Sequence, residues 1–423
     1  MPAGRSEHQN IHPAENTVIP DLNQLDPAKF EHLDFDMYGQ AIKSDPSKYF
    51  LKWAQQPPRY IRQDGHVHAF ATRHKDVKFG LMNQEFLSAV PVPGTGLDNI
   101  DYFNGLPIIV EVDQPQHTRL RRLMQPAFTP RRVAEAQAGL NALANQMMDQ
   151  LEARGTDIDV MADIAIPFAV TVLLDHFLAV PQQDWPLFLH YSHSMGLVGT
   201  LKAGDPKPKE YLDAYNAMYA YCENLIERRK AEPKDDLVGS IIASDITTEE
   251  LFATLMVLLT GGIGTISATI GLAALRFGRN PEQMELLRNE PALINSAIEE
   301  VLRIDCLGNF RHRWARQDFE FEGLQVWKGM AIALSLGAAN YDPVLYPDPG
   351  KFDIRRAPTD VSSFGYGIHF CIGQAIARPS VRTATLALVQ RFPALRLATP
   401  DFEPLWGGLP TERSPVNVNM KIK

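Results

Sequence analysis

The chain has 423 residues, 45% of them hydrophobic and 22% charged, an ordinary globular composition that excludes disorder, collagen and coiled coil. A formal net charge of −9 argues against a general nucleic-acid binder, in which a basic face would dominate. Cys222, Cys306 and Cys371 are an odd, widely spaced set without a CxxC pair, which is no disulfide framework and suits a reducing cytoplasm.

Residues 1–30 are polar and dotted with proline, with no apolar leader-like run, and 1–32 reads as an N-terminal extension. Tyr60–Thr72 has strand character. From Pro130 to Arg279 apolar residues recur at helical spacing: Ala134–Arg154 forms one amphipathic stretch, and Lys209–Lys230 another ending in a basic run. Between them VGTLKAGDPKPK (198–209) is a connector. Thr247 followed by Glu250 predicts a capping box that opens a long apolar helix to about Arg279. Gly261, Gly262, Gly264 and Gly271 interrupt that segment, so it reads as a buried helix and not a membrane span. Glu282–Ile304 is helical again, and strand character returns at Phe319–Ile332 and Val416–Ile422. With no repeat and no Gly/Ser linker, 33–423 reads as a single domain, mainly α with a small β region.

Residues 361–374, VSSFGYGIHFCIGQ, set three glycines around Cys371, and a helix-forming run follows directly. A cysteine there lies beside backbone N–H groups and the positive end of a helix, and both favour the thiolate. Zinc would need further thiolates or imidazoles at matching spacing, and none appear. A cysteine hydrolase, or a buried structural cysteine in a turn, remains open on these residues alone.

Phe364, Gly367, Cys371 and Gly373 match FxxGxxxCxG, and this segment resembles the haem-binding loop of cytochromes P-450. Glu300-Val301-Leu302-Arg303 matches the family's ExxR helix, and KFDIRR places Arg356 where its meander arginine falls. Glu300 and Arg303 share a helix face, and Arg356 can complete a charge-assisted network with them. The resemblance runs from about Leu33 to Val416 and implies the family's triangular α-rich prism with a small β region. It implies haem b (iron protoporphyrin IX) with Cys371 as axial ligand, whose thiolate favours O–O cleavage. Four candidates to bind the haem propionates are His117, Arg121, Arg313 and His369. Arg119 and Arg122, with Arg131 and Arg132, form a local basic patch where family members receive electrons from an acidic ferredoxin.

In the long helix the family places a glycine-loosened stretch over the iron, then an acid, then a threonine. Gly261, Gly262 and Thr265 fit; the acid position is Gly264. The two proton deliveries to oxygen normally need an acid and an alcohol that orients water. Thr265 keeps the alcohol role, and a mid-helix bulge is expected there. Pro379, inside the helix after the cysteine, predicts a kink or a late helix start. The resemblance implies pocket residues where the family's recognition segments fall: Phe103, Leu106, Ile109, Val257, Thr260, Gly261, Asn309, Phe310 and Leu409, with Trp406 beside them. Their mix suits a small-to-medium apolar or aromatic molecule, a terpenoid, aromatic acid or fatty acid. The resemblance thus implies a soluble, cytoplasmic bacterial monooxygenase, monomeric, with no nucleic-acid or membrane partner, fed by a 2Fe-2S ferredoxin and an NAD(P)H-dependent reductase. Gly264 motivates two alternatives, a peroxide-dependent peroxygenase and a nitric-oxide-reductase-like enzyme. A non-catalytic haem sensor is the alternative of another class.

Overall fold

The computed structural model describes residues 30–33, 36–63, 66–92, 105–198, 201, 205–234, 237–242 and 246–423. Helices make up most of it, and the largest sheet has six strands in the order Phe30–His32, Arg59–Gln63, His66–Ala71, Ala331–Ser335, Phe310–Ala315 and Leu87–Ser88. Arg59–Gln63 and His66–Ala71 pair as an antiparallel hairpin, whereas His66–Ala71 meets Ala331–Ser335 in parallel, with Ala69 opposite Ile332. Arg313 then lies opposite Ile332 from the other side, in the antiparallel pairing of Phe310–Ala315 with Ala331–Ser335. The edge strand Phe30–His32 pairs in parallel with Tyr60–Arg62, so the sheet begins upstream of the boundary placed at residue 33. Phe319–Phe321 and Leu324–Val326 form a hairpin, and a second hairpin pairs Trp406–Gly407 with Ser414–Pro415.

The long helix Thr248–Arg279 opens with the expected capping box: the Thr247 hydroxyl accepts from the Glu250 N–H at 3.2 Å, and the Glu250 carboxylate accepts from the Thr247 N–H at 3.1 Å. By length and composition it could cross a bilayer, yet 67% of its most apolar window is buried against neighbouring elements, as in a core helix. Helices Lys209–Ala231, Ile166–Thr171, Ile294–Ile304 and Gln374–Arg391 pack around it. The core is continuous along these helices, and a smaller apolar cluster lies between the large sheet and helix His74–Met82.

Three local expectations change. The run 282–304 is two helices, Pro281–Asn289 and Ile294–Ile304, because Pro291 pushes Glu290 out of the helical region, to φ −126 and ψ 72. The long helix stays regular through Gly261–Thr265, without the expected bulge. Helix Gln374–Arg391 starts directly after the cysteine loop and contains Pro379, so the late start does not occur.

Candidate active site

The cysteine loop is shaped by its glycines. Gly365 and Gly367 have φ of +70 and +71, which only glycine adopts readily, and a Cβ on Gly367 would lie 2.8 Å from the Leu81 carbonyl oxygen. The loop closes through the Cys371 N–H, which donates to the Phe364 carbonyl at 2.9 Å. Ser362 ties it to the core: its N–H and hydroxyl donate to Asn340 Oδ1 at 2.8 and 2.7 Å. Beneath the Phe364 ring lies the Arg378 guanidinium at 4.3 Å, itself held by both oxygens of Glu299.

Burial pushes the Cys371 thiol up. The N–H groups of Gly373 and Gln374, then Arg311 and Arg121, pull the other way, and the balance stays above the ordinary value. The helix-end donors foreseen from the sequence are thus present but do not outweigh burial. A coordinated metal cation removes that cost, since it deprotonates a thiol ligand outright.

Glu300 and Arg303 lie on helix Ile294–Ile304 and both are fully buried. Arg303 Nε and Nη2 donate to the two Glu300 oxygens at 2.7 and 2.8 Å. Arg356 Nε and the Asp353 N–H add bonds to Glu300 Oε1, both at 3.1 Å. Arg303 also donates to the carbonyls of Asn340 and Pro349 at 2.9 and 2.8 Å. Because Asn340 receives the cysteine loop through Ser362, the triad and the loop form one bonded scaffold.

The four sequence candidates for anion binding come together. His117 and Arg121 project from helix Gln116–Met124, and the His117 ring centroid is 4.4 Å from that of His369. Arg121 donates to the Ile368 carbonyl at 2.9 Å, and Arg313 to the His312 carbonyl at 2.7 Å. Burial pushes the His369 imidazole down to about 3, aided by the charge of Arg313, and the Arg313 guanidinium down to about 10. His117 is lowered by burial and by Arg121. Among the described residues, Nε2 of His117 and of His369 are buried without a hydrogen-bond partner. Two guanidiniums, whose hydrogen bonds among the described residues go to backbone carbonyls, and two orphaned imidazole nitrogens suit an anionic ligand, even with the Asp113 carboxylate acting on His117, Arg313 and His369. The two propionates of a haem fit that demand.

The glycines of the long helix divide by environment. A Cβ on Gly262 would meet Leu173 at 3.0 Å, and one on Gly271 would run into Met161, so both are packing positions. At Gly261 and Gly264 a Cβ would meet nothing within 4 Å. That open helix face suits a flat cofactor and a small ligand. One residue beyond Gly264, the Thr265 hydroxyl donates to the Gly261 carbonyl at 2.5 Å, one of several such back-bonds in this helix.

Of the pocket candidates, Val257, Thr260 and Gly261 share this face, and Leu106 and Ile109 lie by the turn Ile109–Glu111. Phe103 lies outside the described residues. Phe310 is buried: strand alternation turns it inward, edge-on to Tyr38 at 5.7 Å. Asn309 is likewise buried, its Oδ1 against Gly337. Leu409 is 38% exposed on the 406–415 hairpin. Lys43 straps that hairpin, its ammonium donating to the carbonyls of Gly407, Gly408 and Leu409 at 3.4, 3.2 and 3.1 Å. Sequence reasoning also missed the buried Asp305, held by Arg276 at 2.7 and 2.8 Å and by Arg413 at 3.0 Å. Long-range pairs of this kind leave no spacing signal. Arg311 was missed although the alternation Arg311-His312-Arg313 puts it on the same strand face as Arg313.

The cytochrome P450 family model matches residues 205–418. The polyketide biosynthesis cytochrome P450 PksS of Bacillus subtilis is 30% identical over 390 residues, 89% of this chain and 93% of that protein. Nocardicin C N-oxygenase of Nocardia uniformis is 32% identical over 374 residues, 86% and 92% of the two chains. The LnmA cytochrome P450 hydroxylase of the leinamycin pathway of Streptomyces atroolivaceus superposes with a TM-score of 0.82 at 30% identity, covering 92% of this chain and 99% of that one. A glycine-shaped cysteine loop bonded to a buried ExxR–Arg scaffold, on a chain that matches such relatives almost end to end, makes this protein a bacterial member of the cytochrome P450 family, a haem-dependent monooxygenase.

Proposed function

We propose that the chain uses haem b and oxygenates a small-to-medium apolar or aromatic molecule, with electrons from NAD(P)H delivered through a 2Fe-2S ferredoxin. The observation that carries this reading is the Thr265 hydroxyl, bonded to the Gly261 carbonyl beside the open positions Gly261 and Gly264, on the helix that packs against the cysteine helix. When bound, the thiolate-ligated haem would activate dioxygen with two electrons, one oxygen atom entering a C–H bond and the other leaving as water. Cys371 would supply the thiolate, and His117, Arg121, Arg313 and His369 would bind the propionates. Gly261 and Gly264 keep the helix face clear. Thr265 holds its proton on the Gly261 carbonyl and leaves its oxygen lone pairs free to accept from water. With no carboxylate at 264, protons would reach that hydroxyl through water.

For the electron donor, exposed Arg122 would lead the basic patch, while Arg119 is engaged by Glu250 and Arg131 is shared with Glu135 at 3.7 Å. An acidic ferredoxin docked there should lose on-rate as salt rises. The glycine at 264 favours one second reading: hydrogen peroxide brings its own protons and would bypass the missing acid. The deciding experiment takes a ligand that shifts the ferric Soret band and compares product from ferredoxin plus NADH with product from peroxide alone. Product coupled to NADH supports the monooxygenase, and product with peroxide only makes the enzyme a peroxygenase.

A further inference from the structure

Strand Phe310–Ala315 sorts its side chains cleanly. Phe310, His312 and Trp314 face the core side: Tyr38 packs edge-on to Phe310 and shares a 2.9 Å hydrogen bond with His312, whose ring neighbours Trp314. Arg311 and Arg313 face the other way. Arg313, buried on that face, is one of the four candidate anion-binding groups. Arg311 is two residues, about 6.8 Å, further along the strand. Gly308, against which its guanidinium lies, bridges to Glu412 of the 406–415 hairpin.

Arg311 is exposed, on a strand whose neighbour Ala331–Ser335 is buried throughout. Its guanidinium curls over Gly308, where a Cβ would lie 2.7 Å from Nη2, so glycine makes its room. Its one hydrogen bond among the described residues runs from Nη1 to the Phe310 carbonyl at 2.8 Å, and no described carboxylate lies within ion-pair distance. Glu412, the acid it influences, sits where burial favours the neutral carboxyl. The chain therefore offers three guanidiniums on this side, Arg121, Arg311 and Arg313. Two propionates would engage Arg121 and Arg313 together with the imidazoles, which leaves Arg311 beside the hairpin that carries Leu409.

We propose that Arg311 is the anion-recognising residue of the substrate pocket, and that the substrate carries a carboxylate. This rests on the haem-enzyme reading of the site. A carboxylate could also come from a haem propionate, and the test separates the two. Ferric holoprotein is titrated with ω-imidazolyl hexanoic, octanoic and decanoic acids and with their methyl esters, in wild type, Arg311→Met and Arg311→Lys. The imidazole reports binding by a Soret shift without turnover. At the best-fitting length the acid should bind wild type about tenfold to hundredfold tighter than its ester, the range expected for a hydrogen bond to a charged group. Arg311→Met should abolish that preference while leaving ester affinity unchanged, and Arg311→Lys should keep part of it. Absence of an acid preference in wild type, or its survival in Arg311→Met, overturns the proposal. Equal weakening of acid and ester, with faster haem loss to apomyoglobin, overturns it in favour of a propionate role. If the purified protein takes up no haem and shows no Soret band, the haem reading itself has failed.

Discussion

Replacing Glu300 by glutamine should destabilise the protein far more than the same change at a surface ion pair. The Glu300 and Arg303 side chains are both 0% exposed, and Glu300 accepts four bonds: two from Arg303, one from Arg356 and one from the Asp353 N–H. Glutamine keeps the shape but turns an NH2 group toward a guanidinium donor. Arg303 then retains only neutral carbonyl partners, at Asn340, Pro349 and Lys351. Breaking one side of such a buried pair costs about 3–5 kcal/mol. The control is Glu290→Gln, whose partner is Arg355 and whose side chains are 47% and 53% exposed. There the cost should be about 0–1 kcal/mol. Urea midpoints of both variants, followed by far-ultraviolet circular dichroism, give the comparison directly. Haem retention should fall with Glu300→Gln as well, because Asn340 links the triad to the cysteine loop. A midpoint for Glu300→Gln no lower than that of Glu290→Gln would refute the reasoning.

Two further predictions use the same unfolding assay. Gly264→Ala should stabilise the helix by about 0.5–1 kcal/mol, since the new methyl group meets nothing, whereas Gly271→Ala should cost about 1–3 kcal/mol against Met161 and Pro415. The opposite ranking would mean that the open face has been misplaced. For Asp305, burial pushes the carboxyl up, but Arg276 and Arg413 hold it below the usual range. A depressed carboxylate stabilises above its unfolded value, near about 4, and that stabilisation is lost as pH falls through the lower folded-state value. The midpoint gap between wild type and Asp305→Asn should therefore hold steady from neutral pH to about 5 and shrink below about 4. A gap that widens on acidification contradicts it.

Local signals were the most legible. The capping box at Thr247, the strands on either side of residue 65 and the ExxR spacing are short-range patterns, and each reappears as bonded geometry. The cysteine loop could be read because positive-φ glycines and a helix start are encoded within a few residues. What escaped depends on elements distant in sequence. Lys43 meets carbonyls more than three hundred residues away, and Asp305 gathers arginines from two separate elements. Phe310 was named for the pocket because it falls where the family's recognition segment follows the ExxR helix, a placement that leaves its face open. Only its pairing opposite Ser335 fixes which face it takes.

The most direct test of the account is the absorption spectrum of the reduced, carbon-monoxide-bound protein, wild type and Cys371→Ser side by side. Cys371 as the proximal thiolate predicts the strongly red-shifted Soret band of thiolate-ligated haem in wild type and its loss in the variant. A wild-type band at the position of histidine-ligated haem, or a red-shifted band that survives in Cys371→Ser, would contradict it.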